Sequence, residues 1–346
     1  MKQDVVLVGA LDFPNIPQAG DTVKNRYLLD FFKTKFRHVG YIDTMKWRRN
    51  PFVVLKILYM LFFRSVDHVV ISTSNATAYK LISFINRFCF SKDFYYFMIG
   101  GNMPLLIKNG TYKAASFRCL KKIVVEADGV ARFWSEIGFD NTIRVYNFKP
   151  FSYIPFEPFE GKGKVKFIFL SRLTERKGVF HITESVRYLN EAGFADAFEV
   201  DFYGTIHDDI RLRFLNEVEH LSNVSYKGFL NLKEEANYSI LSEYDAMLFP
   251  TMYETEGFPG VIADAAIAGL PVIAADWNYA EELIGDGVCG YLFSTGDREA
   301  LQERMRYVIE HRMDVAQLRK HCLEKAQCYN MKNVLTDDLL NRLDLK

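Results

Sequence analysis

Short runs of β-branched and aromatic residues alternate along this chain with segments of helical length, and the alternation limits the folds open to it. In the first half the strand-like runs are DVVLVG (4–9), HVGYID (38–43), HVVIS (68–72), DFYYFMI (93–99), KIVVE (122–126) and TIRVYN (142–147). Helix-sized segments lie between them, for example 22–35, 75–88 and 127–137. Repeated βα alternation is typical of a parallel sheet covered by helices on both faces. The sequence therefore predicts an α/β fold.

The alternation is interrupted at 149–164 by a stretch rich in proline and glycine, which we interpret as a linker. It then resumes with VKFIFLS (165–171), FEVDFYG (198–204), NVSYKGF (223–229), YDAMLFP (244–250) and PVIAA (271–275). We predict a first Rossmann-like domain over 1–150, a second over 151–330, and a helix over 331–346 that packs back on the first. Two doubly wound domains predict a cleft, with ligands beyond the carboxyl ends of the strands.

Composition and charge restrict the classes of function and partner. The 346 residues are 49% apolar and 25% charged, as in folded globular proteins, and the 43 basic side chains balance 43 acidic ones. A net charge of zero gives no reason to expect a nucleic-acid partner, so any cationic site must be local. The five cysteines are scattered and form no CxxC pair, which indicates reduced thiols, and the first residues read as a strand and not as a signal peptide. We expect a cytoplasmic protein.

Residues 45–65, MKWRRNPFVVLKILYMLFFRS, combine cationic and aromatic side chains. One interpretation is a core helix that begins near Pro51. The other is a basic, aromatic helix that lies on an anionic membrane surface, as a peripheral contact at the inner face. The two interpretations are compatible, because a helix that packs on a sheet can still present a basic end. No run in the chain reaches the roughly 18 apolar residues of a membrane span.

Two cations follow the first strand of the second half, in SRLTERKG (171–178). Arg172 comes at the end of the strand, and Lys177 precedes Gly178 where a helix begins. A helix N-terminus adds free amides and a partial positive charge, so these groups could converge on one anion. The alternative is a solvated charge cluster in a loop. A charge-assisted hydrogen bond contributes about 1.5–3 kcal/mol, enough for two cations to hold a diphosphate.

Two acids flank a glycine–proline turn in YETEGFPGVIADAAIAGLPVIAADW (253–277). Glu256 lies in the loop after a strand, and Pro259 suits the first turn of the next helix, where no backbone donor is needed. Asp264 comes eight residues after Glu256, on the side of the helix that we expect to face a ligand. A carboxylate can accept hydrogen bonds from two sugar hydroxyls, so the two acids could bind two sugar rings. The competing interpretation, acids as helix caps, accounts for Glu256 better than for Asp264.

The two acids around GFPG, followed by AGLPVIAAD, resemble the E-x7-E signature of retaining glycosyltransferases of the GT-B fold, family 4 (glycosyl transferases group 1). The resemblance extends to FLSRLTERKG, to the FYG and YKGFL turns and to YNFKP (146–150), and it covers most of the second half. The first half is similar more loosely, through AGDTVKN (19–25). One departure is that Asp264 replaces the usual second Glu and is one methylene shorter. The implied fold is GT-B, with two Rossmann-like domains.

The resemblance also implies roles for individual residues. Arg172, Lys177 and Glu256 would be catalytic, the two cations binding the donor diphosphate and the acid binding hydroxyls of the transferred sugar. The other implied donor contacts are Phe258, Pro259, Gly260 and Val261 at the phosphates, Asp264 at the ribose, Gly204, Lys227, Gly228 and Phe229 near the base, and Gly20, Asp21 and Thr22 of the first domain over the phosphates.

The implied reaction is transfer of a hexose from a nucleotide-diphosphate sugar to a glycan or a lipid-linked saccharide, with retention at the anomeric carbon. The cationic side chains would take the place of a metal ion, so neither a metal nor another cofactor is expected. The first domain would bind the acceptor. Many relatives have a histidine after the fourth strand, where this chain has Gly100, Gly101 and Asn102 in MIGGNMP. Glu126, at the end of KIVVE, is a further acceptor-side candidate, with helix capping as the alternative.

Two other functions remain open at this point. A nucleotide-sugar epimerase of the same fold would need additional acid–base groups, and none is evident in the sequence. A non-catalytic nucleotide-sugar-binding subunit is disfavoured by the complete set of cations and acids. A dehydrogenase and a P-loop ATPase are disfavoured because neither GxGxxG after the first strand nor GxxxxGK[ST] is present.

Overall fold

The computed structural model describes residues 3–13, 15, 20–45, 47, 50–88, 90–152, 161–253 and 256–345. The chain divides into two compact units. Unit 1 contains residues 1–149 and 331–346, and unit 2 contains residues 150–330. Half of the predicted linker 149–164, namely 153–160, lies outside the described residues.

Unit 1 is built on a six-stranded parallel sheet. Its strands are β1 (Gln3–Gly9), β2 (Val39–Asp43), β3 (Val66–Ser72), β4 (Asp93–Phe97), β5 (Lys122–Val125) and β6 (Thr142–Arg144), in the spatial order β2-β1-β3-β4-β5-β6. The helices between them are α1 (Gly20–Lys35), α2 (Phe52–Phe63), α3 (Asn75–Ile85), α4 (Met103–Lys108) and α5 (Asp128–Glu136). Reversal of the strand order beside β1 is the doubly wound pattern, in which ligands bind beyond the strands' carboxyl ends.

Unit 2 repeats this architecture. Its strands are β7 (Val165–Leu170), β8 (Phe198–Tyr203), β9 (Val224–Gly228), β10 (Ala246–Phe249), β11 (Val272–Asp276) and β12 (Gly290–Ser294), in the order β12-β11-β10-β7-β8-β9. Its helices are α6 (Val179–Leu189), α7 (Arg211–Glu219), α8 (Tyr238–Ser242), α9 (Gly260–Ile267), α10 (Ala280–Leu283), α11 (Arg298–Glu310) and α12 (Arg312–Ala326). All strand pairs in both sheets are parallel, so the predicted α/β fold with two parallel sheets is confirmed.

The strand β12 is one element that the alternation does not predict. It lies at the edge of the sheet and pairs only with β11. Gly290 begins it with φ of +156°, and a Cβ atom there would lie 1.9 Å from the carbonyl oxygen of Val272. The glycine is therefore required by a contact with a residue 18 positions earlier, which local sequence patterns do not reveal.

The last residues of the chain complete the core of unit 1. They form α13 (Met331–Val334) and α14 (Asp337–Arg342). Leu339, Leu343 and Leu345 are each no more than 2% exposed and pack in one cluster with Val5 and Leu7 of β1. Burial of apolar area of this kind is the main favourable contribution to folding, so unit 1 depends on a segment that follows all of unit 2 in the sequence.

Helix α2 combines a buried stripe with an exposed apolar face. It buries Val53, Met60 and Leu61. The exposed apolar stripe consists of Phe52, Leu55, Tyr59 and Phe63, which we call the apolar face of α2. Lys46, Arg48 and Arg49, the cations that precede this helix in the sequence, lie outside the described residues. Among the described residues, no helix has both the length and the apolar composition needed to cross a bilayer.

Candidate functional site

The loop between β7 and α6 packs against the segment that follows β10. Gly178 has φ of +78°, and a Cβ atom there would lie only 2.1 Å from the carbonyl oxygen of Pro250. The amide of Met252 donates a hydrogen bond to the carbonyl of Arg176 at 2.8 Å. Because both strands are parallel neighbours in the sheet, this contact joins two loops at its carboxyl edge.

Lys177 and Glu256 meet at this junction. The Nζ atom of Lys177 lies 2.5 Å from Oε2 of Glu256, and the hydroxyl of Thr251 donates to the same oxygen at 3.1 Å. The side chains of Lys177 and Glu256 are only 12% and 17% exposed. The ammonium group also lies 5.0 Å from the centre of the Phe249 ring and 5.4 Å from that of Tyr253. The second carboxylate oxygen, Oε1, has no hydrogen-bond partner in the described part of the chain.

The first turn of α9 follows Glu256 directly. The prediction placed Pro259 inside that turn, but the helix begins at Gly260 and Pro259 is its N-cap, with an extended ψ of 127°. The amides of Gly260 and Val261 have no hydrogen-bond acceptor among the described residues. Unpaired amides at a helix N-terminus bind anions such as phosphate.

The turn before α9 is held in place by aromatic side chains. Trp277 donates from Nε1 to the carbonyl of Gly257 at 3.3 Å. The ring of Phe258 is buried and packs edge-on against Tyr329, with the ring centres 5.0 Å apart. Such packing restrains the backbone that presents the free amides, so the turn is preorganised.

Asp264 is buried in α9, where it is 3% exposed. Its Oδ1 atom accepts a hydrogen bond from the hydroxyl of Tyr238 at 2.6 Å. Helix capping does not explain an acid at this position, and the hydrogen bond from the tyrosine of α8 does. Its implied contact with a ribose stays a prediction.

Arg172 lies two residues after β7 and is exposed. No carboxylate in the residues that the structure describes pairs with its guanidinium group. Its positive charge is therefore available to an external anion, whereas that of Lys177 is shared with Glu256.

The turns after β8 and β9 lie next to each other. They contain the residues predicted to lie near the base, which are Gly204, Lys227, Gly228 and Phe229. The amide of Gly204 donates to the carbonyl of Gly228 at 2.7 Å. A Cβ atom at Gly204 would lie 1.8 Å from the carbonyl oxygen of Ser171, so the glycine allows β8 to approach the end of β7. Lys227 lies 3.5 Å from Asp201, and the ring of Phe229 is 72% exposed.

In unit 1, Gly20, Asp21 and Thr22 form the first turn of α1. Oδ1 of Asp21 accepts from the amide of Thr22 at 2.9 Å, and Thr22 is buried. Their implied contact with the donor phosphates stays a prediction.

The residues after β4 adopt a turn that ends at the start of α4. Gly100 has φ of +74°, while the space around a Cβ atom there is open, so conformation and not crowding favours glycine. Asn102 is the N-cap of α4 and accepts a hydrogen bond from Asn75, whose own side-chain oxygen accepts from Tyr96 at 2.9 Å. Gly101, between Gly100 and Asn102 in the sequence, is buried.

Glu126 follows β5, and its Oε1 atom lies 2.5 Å from Nζ of Lys24 on α1. Like Thr251 and Tyr238, Lys24 contacts a predicted site residue but was not itself predicted from the sequence. Thr251 follows a strand and could have been found by the rule that placed Glu256. Lys24 and Tyr238 lie on helices, and only tertiary packing brings them to their acids.

No group of three or more histidine, cysteine or acidic side chains that could hold a metal ion occurs in the described ranges. The prediction that no metal is needed stays a prediction.

Comparison with known proteins identifies related sequences. A family model described as glycosyl transferases group 1 matches residues 152–328. The amylovoran biosynthesis glycosyltransferase AmsK of Erwinia amylovora is 29% identical over 142 residues, which are 40% of this chain and 34% of that protein. The putative colanic acid biosynthesis glycosyltransferase WcaL of Salmonella typhimurium is 30% identical over 145 residues, 41% of this chain and 35% of that protein. The matched region thus spans about a third of the length of these relatives.

Solved structures share the fold over the whole chain. Anabaena Alr3699/HepE in complex with UDP has a TM-score of 0.69 at 15% sequence identity, with 99% of this chain and 100% of that chain covered. At this identity the likeness concerns the fold alone.

The contact at Gly178 generates a prediction. We expect Gly178→Ala to lower the melting temperature more than Gly296→Ala, which serves as the control. Both glycines have similar φ values, +78° and +81°, but only Gly178 faces a carbonyl oxygen where the Cβ would be. Left-handed strain alone costs about 1–2 kcal/mol, and the clash adds to it at Gly178. Equal shifts in thermal unfolding would show that the two loops are not packed as described.

Proposed function

Because the chain belongs to the glycosyl transferases group 1 family, we propose that it is a retaining hexosyltransferase of family 4, which uses a nucleotide-diphosphate sugar as donor and a glycan or lipid-linked saccharide as acceptor. The observation that carries this proposal is the contact between Lys177 and Glu256 beside the free amides of α9. It combines a fixed cation, a carboxylate with one open oxygen and an anion-binding helix end. These are the groups needed to hold a diphosphate attached to a sugar.

Each group has a role in binding the donor. The ammonium of Lys177, the guanidinium of Arg172 and the amides of Gly260 and Val261 bind the diphosphate oxygens. The open oxygen of Glu256 accepts hydrogen bonds from hydroxyls of the transferred sugar. Asp264 is the proposed partner of the ribose. The turns at Gly204 and 227–229 lie near the base, where the exposed ring of Phe229 offers a stacking surface.

Transfer breaks the bond between the anomeric carbon and the phosphate oxygen, and that bond's electrons remain on the diphosphate. The acceptor hydroxyl oxygen forms the new bond on the same face of the sugar. Its proton passes to the departing phosphate oxygen, so a separate protein base is unnecessary. The protein contributes positioning and the stabilisation of negative charge on the leaving group. The positive charges of Lys177 and Arg172 provide that stabilisation without a metal ion.

The proposed place of this reaction is the synthesis of a surface polysaccharide or glycolipid. Its support is the naming of the related AmsK and WcaL proteins as glycosyltransferases of amylovoran and colanic acid biosynthesis. Unit 1 would bind the acceptor, with Gly100, Gly101, Asn102 and Glu126 as the candidate residues.

Two alternative functions predict different products. An epimerase would return a nucleotide sugar with one inverted centre, and a non-catalytic subunit would bind the nucleotide sugar without releasing its diphosphate. Transfer needs only the groups already described, whereas epimerisation would need additional acid–base groups at the sugar.

Donor use is the first test. We expect one nucleoside diphosphate of a panel of UDP, dTDP, GDP and ADP to raise the melting temperature, because a ligand that binds only the folded state stabilises it. With the corresponding sugar as donor, Lys177→Met should lower the rate of diphosphate release by about 100-fold or more, as loss of one transition-state donor does elsewhere.

The matched control is Lys320→Met, because Lys320 is in the same unit and its side chain is 82% exposed. This variant should turn over the donor like the unmodified protein. If Lys177→Met releases the diphosphate at the unmodified rate, or if no nucleotide of the panel binds, the proposed donor site is wrong.

Attachment to an anionic membrane is a separate part of the proposal, and it concerns the apolar face of α2. Phe63 is 79% exposed and Phe52 is 68% exposed, and the rings of Tyr59 and Phe63 stack 6.0 Å apart. Lys56 on the same helix is exposed, and the sequence places Arg48 and Arg49 just before it. Exposed aromatic side chains beside cations fit the interface of an anionic bilayer, where apolar burial and charge attraction add.

Vesicle sedimentation tests this attachment. The protein should sediment with vesicles that contain phosphatidylglycerol and should do so less with pure phosphatidylcholine. Two double variants should each weaken the binding: Leu55→Ser with Phe63→Ser, and Arg48→Glu with Arg49→Glu. The control Leu212→Ser, at a leucine of unit 2 that is 86% exposed, should leave the binding unchanged. Binding that is absent in the unmodified protein, or unchanged in both double variants, would refute the membrane contact.

A further inference from the structure

Unit 1 contains a nearly buried ion pair at the edge of its sheet. The side chains of Lys24 and Glu126 are 7% and 13% exposed, and Nζ lies 2.5 Å from Oε1. Glu126 follows β5 directly, and Lys24 lies on α1, the helix that follows β1. The pair therefore lies at the carboxyl edge of a doubly wound sheet, where such sheets bind their ligands.

Net stability is a weak reason for a nearly buried ion pair at this position. Removing two charges from water costs several kcal/mol, and well-packed apolar side chains of similar volume often serve equally well. The helix is also anchored without it. Asn25 donates hydrogen bonds to the carbonyls of Ala10 and Ser72, at 2.9 Å each, and accepts one from the hydroxyl of Ser72. These bonds already fix the position of α1 on β1 and β3.

One oxygen of Glu126 remains open. Oε2 has no hydrogen-bond partner in the described part of the chain. The side chain of Glu126 is 13% exposed, so part of the carboxylate end is accessible from the surface. The ammonium of Lys24 donates one of its three N–H groups to Oε1 and lies 5.8 Å from the centre of the Phe148 ring. The pair thus offers an acceptor beside a donor.

The same combination occurs in the donor site of unit 2. There too a glutamate after a strand is bound at 2.5 Å by a lysine near a helix N-terminus, with an aromatic ring beside the ammonium and one carboxylate oxygen open. In Lys177–Glu256 the open oxygen is proposed to accept sugar hydroxyls. Two units with the same architecture thus carry the same arrangement of a lysine and a glutamate.

We propose that Lys24 and Glu126 form a hydroxyl-binding subsite for the acceptor saccharide. This inference rests on the proposed glycosyltransferase function. Oε2 of Glu126 accepts from one hydroxyl of a sugar ring, and a remaining N–H of Lys24 donates to the neighbouring oxygen. Because the pair has no net charge, it selects an uncharged sugar with two adjacent hydroxyls over a uronic acid or a sugar phosphate.

Binding of simple glycosides to the full chain tests the subsite. Saturation-transfer NMR with methyl glycosides of glucose, galactose and mannose, in the presence of the nucleoside diphosphate that stabilises the protein, should detect at least one ligand. Methyl glucuronide should bind more weakly. In Glu126→Gln the affinity for the neutral glycoside should fall by about tenfold or more, since a charge-assisted hydrogen bond is lost.

A second variant separates binding from structural support. The double substitution Lys24→Met and Glu126→Leu replaces the pair by apolar groups of similar size. It should fold, melt close to the unmodified protein and bind the nucleotide as before, while glycoside binding is lost.

Three results would overturn the subsite: no glycoside binds the unmodified protein, the double variant binds glycosides normally, or the double variant fails to fold. Each of these leaves nucleotide binding by the unmodified protein intact, whereas its absence would refute the proposed function itself.

Discussion

The contact between Lys177 and Glu256 is the interaction on which the site depends. It holds a cation and a carboxylate in a mostly buried environment, with the ammonium near two aromatic rings and the carboxylate just before α9 in the chain. Charges there act more strongly than in water, and their positions are fixed before a ligand arrives. The proposed chemistry needs this fixed arrangement, because a departing diphosphate must be stabilised at the moment when its bond breaks.

The fold creates that arrangement through close backbone contacts. Gly178 lets the loop after β7 touch the carbonyl of Pro250, and Gly204 lets the end of β8 touch Ser171. Glycine at each position follows from the lack of space for a Cβ atom. The parallel sheet of unit 2 therefore places the loops after its strands at one edge, and the two glycines determine how closely these loops pack. Unit 1 has the same type of sheet and carries the related pair Lys24–Glu126.

The sequence predicted the features that depend on local patterns. The βα alternation predicts both sheets, and the rule that ligand groups follow strands selects Lys177 and Glu256, which the structure brings together. Features set by long-range packing were missed. The partner of Asp264 is Tyr238, 26 residues earlier in the chain, and the partner of Glu126 is 102 residues away. The exposed stripe of α2 also depends on which side contacts the sheet, and helical periodicity does not settle that in a segment apolar on nearly all sides.

A double-mutant cycle on donor turnover tests the central claim most directly. Lys177→Met, Glu256→Gln and the double variant would be compared with the unmodified protein by the rate of diphosphate release from the donor sugar. If the two side chains act as one unit, each single change removes most of the rate and the double variant is little slower than either. Losses that multiply would mean that the two residues act independently, and the account of the site would be wrong.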